Sequence, residues 1–352
     1  MIAPAAGPSL PRRVLIIKPS SLGDVVSALP VLRGLRRRFP RAHLAWLLST
    51  VCAPLLADDR DLDEIILFDR KPLGRAWRSL SAARRLLVLL RRLRAGQFDW
   101  VIDLQGLLRS GMLAAATGAA LRAGFGDARE GAVVFYTRRV RVSAQHTVDR
   151  NIELARELGV RARPEDMTLA VPAEARRFAE AFCRRHGLSG GDFLVCVPPT
   201  RWPTKLYPVR HWRTVAGELA QRAPLVLLGA PADRELCARI AQATAPGVID
   251  LAGRTSLTEM VGVIAASAGV VCSDSAAKFI AAAVGVEAIT LIGPTRIERT
   301  GPYLRGRAVV ADVPCRGCLK RRCRHVSCME LIDPARVVRA AGRLLGKWGN
   351  GC

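Results

Sequence analysis

Three short segments of the chain carry residue types that can bind or transform a phosphorylated ligand. The segment Lys18–Asp24 joins two serine hydroxyls to an aspartate, and Thr200–Lys205 combines threonine hydroxyls with an ammonium group. The third segment begins at Ser273 and Asp274 and continues into an alanine-rich stretch. Hydroxyl and ammonium groups suit a pyrophosphate, and an ionised aspartate can take a proton from an attacking hydroxyl.

The segment Lys18–Asp24 lies between a predicted strand and a predicted helix. It lacks the pattern G-x-G-x-x-G, so it does not predict a dinucleotide-binding turn. A small, hydroxyl-rich turn still brings the backbone close to a ligand, with Asp24 as a candidate base. Ser20, Ser21 or Asp24 can equally cap the helix. The residues alone leave both roles open.

The segment Thr200–Lys205 also follows a predicted strand and precedes a predicted helix. This position places the Thr200 hydroxyl and the Lys205 ammonium group where a pyrophosphate can bind. A solvated loop is the alternative interpretation of the same residues.

The elements that position these segments alternate between short apolar strands and longer helical patterns. This alternation predicts an α/β protein with doubly wound parallel sheets. The predicted strands are Val14–Lys18, His43–Leu48, Ile65–Asp69, Trp100–Leu104, Phe193–Val197, Leu225–Leu228, Val248–Leu251, Val270–Cys272 and Ala288–Ile292. The longer predicted helices include Val25–Phe39, Gly74–Gly96, Leu107–Leu121, Ala173–His186, Pro208–Gln221 and Ala277–Val284.

The strand–helix alternation stops after the first half of the chain and restarts at Phe193, which predicts two Rossmann-like domains. We place the first domain at residues 1–170 and the second at residues 171–334. A terminal helix over residues 335–349 is expected to pack back on the first domain. Ligands of such sheets bind beyond the carboxyl ends of the strands. The site is therefore expected in a cleft across which the two domains face each other.

The chain is strongly basic, with 54 Lys and Arg against 30 Asp and Glu and a formal charge of +24. Such a charge attracts polyanions, including anionic membranes and phosphorylated substrates. Only 6 of these 54 residues are lysines, so a compositional bias toward arginine explains the charge equally well. The predicted helix Gly74–Gly96 interleaves leucines with arginines. It favours either contact with an anionic membrane or a phosphorylated lipid, or an ordinary packed helix with a solvated face.

The apolar runs of the sequence are too short to predict a transmembrane helix, and no secretory signal is visible at the N-terminus. The sequence therefore predicts a cytoplasmic protein. Aromatic residues make up only 5% of the chain, and no helix-turn-helix, zinc-finger or RRM pattern is found. Nucleic acid is accordingly not predicted as a partner, because the net charge is the only feature that supports one.

Four of the ten cysteines form a cluster with the spacing Cys315-x2-Cys318-x4-Cys323-x4-Cys328. Thiols this close in sequence can bind a tetrahedral zinc ion. The spacing departs from the paired Cys-x2-Cys of a zinc knuckle, so reduced structural thiols are equally well supported. The remaining cysteines are scattered, and no disulfide framework is predicted.

The segment Val14–Asp24, followed by Ala28-Leu29-Pro30, is similar to the opening of the family 9 glycosyltransferases, the heptosyltransferases. The resemblance continues through Asp103–Ser110 and Arg129–Tyr136 and covers nearly the whole chain. Around Gln105-Gly106 and Phe135-Tyr136 it is closest to the heptosyltransferase I branch, which adds the first heptose. The resemblance implies the GT-B architecture, in which two Rossmann-like domains face across a cleft. It also implies that Asp24 is the catalytic base.

The resemblance implies two sets of binding residues. Those for the donor are Thr200, Lys205, Asp233, Asp274, Ser275, Ala276 and Lys278, and those for the acceptor are Ser20, Ser21, Gly23, Gln105 and Arg109. For Asp233, a helix cap is an equal alternative to a contact with the ribose. The chain departs from the family at Ala276, where glycine is usual, and at Phe279, where histidine is usual. Lys278 could replace the missing histidine electrostatically.

The function implied is transfer of heptose from ADP-heptose to a Kdo-lipid A type acceptor by a single inverting displacement. The resemblance also implies a protein that is peripheral on the cytoplasmic face of the inner membrane, in contact with its anionic surface. No Asp-x-Asp motif is visible, so no divalent ion and no other cofactor is expected in catalysis. Because of Phe279, a GT-B transferase that uses another sugar nucleotide stays an alternative. A basic nucleic-acid-binding protein and a family member that binds without catalysis are further alternatives.

Overall fold

The computed structural model describes residues 10–68, 79–242 and 247–346. The chain divides into two compact units. The first contains residues 1–144 and 148–166, and the second contains residues 145–147 and 167–352. The predicted boundary between residues 170 and 171 lies close to this division.

The first unit is built on a six-stranded sheet in which every pair of neighbouring strands is parallel. The strand order is β3-β2-β1-β4-β5-β6. The strands are β1 Arg13–Ile17, β2 His43–Leu48, β3 Glu64–Leu67, β4 Trp100–Asp103, β5 Leu121–Phe125 and β6 Arg138–Val140. The helices are α1 Leu22–Val26, α2 Leu29–Arg38, α3 Leu80–Ala95, α4 Leu108–Ala116 and α5 Thr147–Glu157.

The second unit repeats the same architecture, with the strand order β12-β11-β10-β7-β8-β9. Its strands are β7 Leu194–Val197, β8 Leu225–Leu227, β9 Val248–Asp250, β10 Gly269–Ser273, β11 Ala288–Leu291 and β12 Gly306–Val309. Its helices are α6 Ala173–His186, α7 Val209–Ala220, α8 Arg234–Ala241, α9 Leu257–Ala266, α10 Ala277–Ala283, α11 Ile297–Thr300, α12 Ser327–Glu330 and α13 Pro334–Gly342. Numbered within its own unit, each sheet has the Rossmann order 3-2-1-4-5-6.

The central strands are continuous apolar runs because helices cover both faces of a parallel sheet. Residues 14–17 of β1 and 270–273 of β10 are completely buried. The sequence therefore predicts these strands well. It does not predict β5, β6 or β12, whose short segments contain glycine or arginine in place of an apolar run.

The predicted helix Val25–Phe39 is two helices in the structure, α1 and α2. The break falls at Ser27 and Ala28, just before Pro30. Proline has no backbone N–H and fits only the first turn of a helix, so a new helix begins there.

The C-terminal helix α13 packs on the second unit, so the prediction that it packs on the first domain is wrong for the described residues. Val337, Val338 and Ala341 are buried in the same core as Trp212 and Leu219 of α7. The following turn also approaches β10, because a Cβ at Gly269 would lie 2.6 Å from Leu344 Cδ1. Residues 347–349 of the predicted helix lie outside the described residues. Within the described residues, no helix combines the length and the apolar character needed to cross a membrane.

Candidate functional site

In each unit, two adjacent central strands end at the point where the strand order reverses. These are β1 and β4 in the first unit and β7 and β10 in the second. Ligands of open α/β sheets bind beyond the carboxyl ends of such strands. The predicted acceptor and donor residues lie in the loops that follow these strands or in the first turn of the next helix, with the exception of Asp233, which follows β8.

The turn after β1 confirms that Asp24 caps a helix. The carboxylate oxygen Oδ2 of Asp24 accepts hydrogen bonds from Ser21 N at 2.9 Å and from Ser21 Oγ at 2.7 Å. Gly23 is buried within α1, and Ser20 is exposed just before it. Among the described residues, no hydrogen bond to Asp24 Oδ1 is found. Capping therefore uses one carboxylate oxygen and leaves the second available to a substrate hydroxyl.

The turns after β1 and β4 are joined by Lys18, whose Nζ donates to the carbonyl oxygen of Leu104 at 2.6 Å. This contact brings the predicted acceptor residue Gln105 next to the first turn, where it is half-buried. Arg109 lies on α4 and is exposed. Its side chain forms no hydrogen bond within the described part of the chain.

Asp103 ends β4 and is completely buried. Its Oδ1 accepts from the backbone N–H groups of Gln105 and Gly106, and its Oδ2 accepts from the Tyr136 hydroxyl at 2.6 Å. Burial raises the pKa of Asp103, although these hydrogen bonds oppose the shift. Burial and the adjacent carboxylate also raise the pKa of Tyr136, so the phenol keeps its proton. These donors are uncharged, and they hold the turn after β4 in place.

The loops of the second unit converge on Asp274, directly after β10. Its Oδ2 pairs with Lys205 Nζ at 2.8 Å and accepts a hydrogen bond from the Thr295 hydroxyl, while its Oδ1 pairs with Lys278 Nζ. The side chains of Asp274 and Lys278 are 2% and 3% exposed, whereas that of Lys205 is 15% exposed. Of the two ammonium groups, Lys205 is therefore the one that a ligand can reach.

The charges around Asp274 leave an excess of one positive charge, since two ammonium groups face one carboxylate. Burial alone would raise the pKa of Asp274, but Lys278 and Lys205 lower it to about 2. The carboxylate therefore stays ionised throughout the neutral range. An ammonium group has three donors, so Lys205 keeps hydrogen-bonding capacity for an anion after pairing with Asp274.

Several residues that support Lys205 were not predicted. The Trp202 ring lies between two cations, with Lys205 Nζ at 4.5 Å and the guanidinium carbon of Arg321 at 4.6 Å from its centroid. Thr204 donates to the carbonyl oxygen of Lys320 at 2.9 Å. Thr295 follows β11, the neighbour of β10, so the shared sheet edge was the signal that could have identified it.

The remaining predicted donor residues make local contacts. The Thr200 hydroxyl donates to the carbonyl oxygen of Asp274 at 3.1 Å, which ties the two loops together. Ser275 Oγ accepts weakly from Ala277 N, and Ala276 forms the N-cap of the short helix α10. Asp233 accepts from the backbone N–H of Ala230 at 2.8 Å and so closes its own turn. This contact uses one carboxylate oxygen, and the ribose contact of Asp233 stays a prediction.

Phe279 and Lys278, at the family departure, point to different partners. Phe279 is buried, and its ring centroid lies 6.2 Å from that of His146, which in turn stacks on Tyr303 at 4.7 Å. Lys278 turns instead to Asp274, four residues earlier in the chain. The positive charge of Lys278 is therefore buried and pairs with Asp274.

The cysteine segment packs against the loop after β11. A Cβ at Gly293 would lie 2.9 Å from Cys328 Sγ, so the strand end and the segment are in close contact. Cys315, Cys318, Cys323 and Cys328 are all free thiols, and burial raises the pKa of Cys328 to about 11. Among the described residues, no group of three His, Cys, Asp or Glu side chains could hold a metal ion. The structural zinc ion stays a prediction, with reduced structural thiols as its alternative.

The model of the glycosyltransferase family 9 (heptosyltransferase) matches residues 86–328, more than half of the chain. The chain is a family 9 glycosyltransferase. This finding confirms the family and the predicted fold class, two Rossmann-like parallel-sheet units of the GT-B type. The chain is also 32% identical over 323 residues to lipopolysaccharide heptosyltransferase 1 of Pseudomonas aeruginosa, covering 89% of this chain and 88% of the relative.

Solved structures agree with this family. The heptosyltransferase WaaC of Escherichia coli with ADP superposes with a TM-score of 0.75 at 26% identity, covering 94% of this glycosyltransferase and 99% of that chain. The same enzyme with ADP-2-deoxy-2-fluoro heptose gives a TM-score of 0.72 at 26% identity, covering 95% and 99%. The similarity thus spans both units of the glycosyltransferase.

Proposed function

We propose that this glycosyltransferase moves a heptose from ADP-heptose to the Kdo/heptose inner core of lipopolysaccharide, with inversion at the anomeric carbon. The names of its relatives support the sugar and the acceptor. The observation that carries the donor assignment is the pairing of Lys205 and Lys278 with the buried Asp274. It places an excess positive charge at the carboxyl edge of the second sheet, where a diphosphate is expected.

The leaving group is the first task of this site. As the bond from the anomeric carbon to the β-phosphate oxygen breaks, negative charge develops on ADP. Lys205 stabilises that charge, because Asp274 and the Trp202 ring hold its ammonium group in place before the reaction begins. Donors fixed in advance at a developing charge contribute strongly to catalysis. Since these two lysines supply the positive charge, we propose that no divalent metal ion is required.

Lys278 has an indirect role in this proposal. Without it, Asp274 would neutralise Lys205 completely, and the cluster would carry no excess charge. Lys278 satisfies the other carboxylate oxygen, so the Lys205 charge is available to the donor. Lys278 is therefore a positioning residue that makes up for the histidine absent at Phe279. We propose that Thr200, Ser275 and Ala276 line the same donor site.

Asp24 carries out the second task in the first unit. Its free oxygen accepts the proton of the acceptor hydroxyl as that oxygen attacks the anomeric carbon. Ser21 fixes the carboxylate through the other oxygen. A single displacement follows, which breaks one bond to the anomeric carbon, forms another and inverts the configuration. We propose that Ser20, Gly23, Gln105 and Arg109 contact the acceptor near this turn.

The test is release of ADP from ADP-heptose with and without a Kdo-lipid A acceptor, for wild type and Asp24→Asn. Asparagine keeps an oxygen that can accept from Ser21 N, so the cap survives while the base is lost. We expect a fall in kcat of about 10²- to 10⁴-fold, the usual contribution of a general base. EDTA should leave the wild-type rate unchanged.

Glu259→Gln is the matched control for this experiment. Glu259 closes the capping box of α9 by accepting from Ser256 N at 2.7 Å, as Asp24 does for Ser21 in α1. If Asp24 were only a cap, both variants would lower activity equally and slightly. Acceptor-dependent turnover of another sugar nucleotide, with none for ADP-heptose, would keep the fold and the mechanism but overturn the donor.

We also propose that the acceptor is reached at an anionic membrane surface, since a Kdo-lipid A acceptor is anchored by its acyl chains. The formal charge of +24 supports this location. Nucleic acid is not part of the proposal.

A further inference from the structure

We infer that the outward face of α3 docks on an anionic lipid bilayer. The inference rests on the proposed function only for the lipid nature of the acceptor, and it assigns the contact to one stripe of one helix. Leu80, Arg84, Leu87 and Arg91 are spaced by four, three and four residues, so they lie in one row along the helix. All four are exposed.

The row is apolar as well as basic. Leu80 is 92% exposed, Leu87 is 52% exposed and the adjacent Val88 is 58% exposed. The opposite face of α3 is packed against the unit, because Ala82, Leu89 and Leu93 are buried. Among the described residues, the exposed leucines therefore take little part in packing. Such side chains can enter the boundary between head groups and acyl chains.

The charge of α3 is of a single sign. Its sixteen residues contain five arginines and no aspartate or glutamate. Glu64 lies at its flank but is paired with Arg92 at 2.8 Å. An ordinary solvated helix mixes charges, as α6 does with Glu174 and Glu180 among its arginines. Guanidinium groups bind phosphates with two parallel hydrogen bonds, so the α3 row complements the phosphates of anionic lipids.

The experiment measures flotation of the full chain with vesicles of phosphatidylglycerol and phosphatidylethanolamine, and with phosphatidylcholine vesicles for comparison. Wild type should float with the anionic vesicles, and added salt should weaken the binding. Arg84→Gln with Arg91→Gln should lower the partition coefficient by roughly 30-fold, about 5-fold for each arginine near an anionic surface. Leu87→Ser should lower it by about 10-fold through lost apolar contact.

The matched control is Arg177→Gln with Arg184→Gln on α6. These arginines are also exposed and seven residues apart, so both double variants lose the same charge at the same spacing. We expect the control to float like wild type. Equal losses in both double variants would assign binding to net charge alone and would overturn the inference. Absence of wild-type binding, or binding of duplex DNA in place of vesicles, would also overturn it.

Activity separates this inference from the proposed function. Neither Arg84 nor Arg91 belongs to the proposed catalytic machinery. On a water-soluble, deacylated acceptor, the α3 variant should therefore turn over at the wild-type rate, with a melting temperature near that of wild type. A failure of heptose transfer in every variant would count against the proposed function and leave the vesicle result standing.

Discussion

Asp103 and Asp274 stand at the carboxyl ends of corresponding strands in the two units. Asp103 is the last residue of β4, the fourth strand of the first unit, and Asp274 follows β10, the fourth strand of the second unit. Both are buried, but their partners differ. Tyr136 and two backbone N–H groups surround Asp103, whereas Lys205, Lys278 and the Thr295 hydroxyl surround Asp274. The pKa values move in opposite directions, since burial raises that of Asp103 and the lysines lower that of Asp274 to about 2.

The difference shows how one fold can form an uncharged hydrogen-bonded scaffold around a carboxylate in one unit and a cluster with excess positive charge in the other. Uncharged donors around Asp103 add no positive charge to its cluster of hydrogen bonds. The lysines around Asp274 exceed its charge by one. Position in the fold buries both carboxylates, and the residues on the neighbouring loops decide what each cluster can bind.

The largest expected effect is on stability at Asp274. Asp274→Asn leaves two ammonium groups without their counter-charge, one of them deeply buried. Breaking a buried pair in this way costs about 3–5 kcal/mol. Asp103→Asn removes a carboxylate whose donors are all uncharged, so it leaves no buried charge unpaired and should cost about 1–3 kcal/mol. Urea unfolding of the two variants measures the difference, and equal losses would remove the contrast between the clusters.

Lys205→Met tests whether the excess charge acts on the reaction. Loss of one fixed donor to a developing anion lowers kcat by about 10²- to 10³-fold. Lys320→Met is the control, because Lys320 is exposed in the loop that contacts Thr204 and loses the same charge. Steady-state ADP release should show the loss only for Lys205→Met. Comparable losses in both variants would assign the effect to the general field of the protein.

The pH dependence of stability should distinguish the two aspartates. The folded pKa of Asp274 is depressed, so its contribution is present above the unfolded pKa and is lost as pH falls toward 2. The difference in unfolding free energy between wild type and Asp274→Asn should therefore be constant near neutrality and shrink by roughly 2–3 kcal/mol in acid. For Asp103 the pH dependence has the opposite sign. Its folded pKa is raised, so its contribution to the free energy of unfolding falls as pH rises through the folded pKa. Unfolding should be followed at several pH values for wild type, Asp274→Asn and Asp103→Asn. The assignment would be contradicted if the difference in unfolding free energy from wild type shrank in acid for both variants.

Lys278→Met sharpens the comparison within the second unit. We expect ADP affinity to fall by about 10-fold, or about 1.4 kcal/mol, because Asp274 then neutralises Lys205. Adenosine carries no phosphate, so its affinity should be unchanged. Adding Phe279→His should recover part of the loss by restoring the family pattern. Equal losses for ADP and adenosine in calorimetric titrations would indicate a packing defect.

The sequence predicts the central strands and the chemistry-bearing loops, since runs such as residues 14–17 and 270–273 allow little else. It does not predict β5 or β6, which are held by their neighbours in the sheet more than by their own residues. The family resemblance predicts Lys205, Lys278 and Asp274 as site residues. Their mutual pairing depends on β7 lying next to β10, and local periodicity contains no information on strand order.

The contacts of the aspartates at helix starts show the same limit of prediction from the sequence. For Asp24 the sequence left two roles open, and in the structure one carboxylate oxygen closes the capping box while the other accepts no hydrogen bond among the described residues. For Asp233 the sequence likewise left two roles open, and its Oδ2 makes the same kind of contact to the backbone of Ala230. Only the position of each carboxylate relative to the sheet edge separates the two cases.

The smallest expected effect compares two buried tyrosines. Tyr136→Phe removes a donor from the Asp103 carboxylate, whereas Tyr207→Phe removes a donor from the carbonyl oxygen of Ile332 at 2.8 Å. Hydrogen bonds to charged groups contribute about 1.5–3 kcal/mol and neutral ones about 0.5–1.5 kcal/mol. Tyr136→Phe should therefore lower the free energy of unfolding by about 1 kcal/mol more than Tyr207→Phe, as measured by urea unfolding at neutral pH. Equal losses would mean that the Asp103 carboxyl is protonated, because its bond to Tyr136 would then be neutral as well.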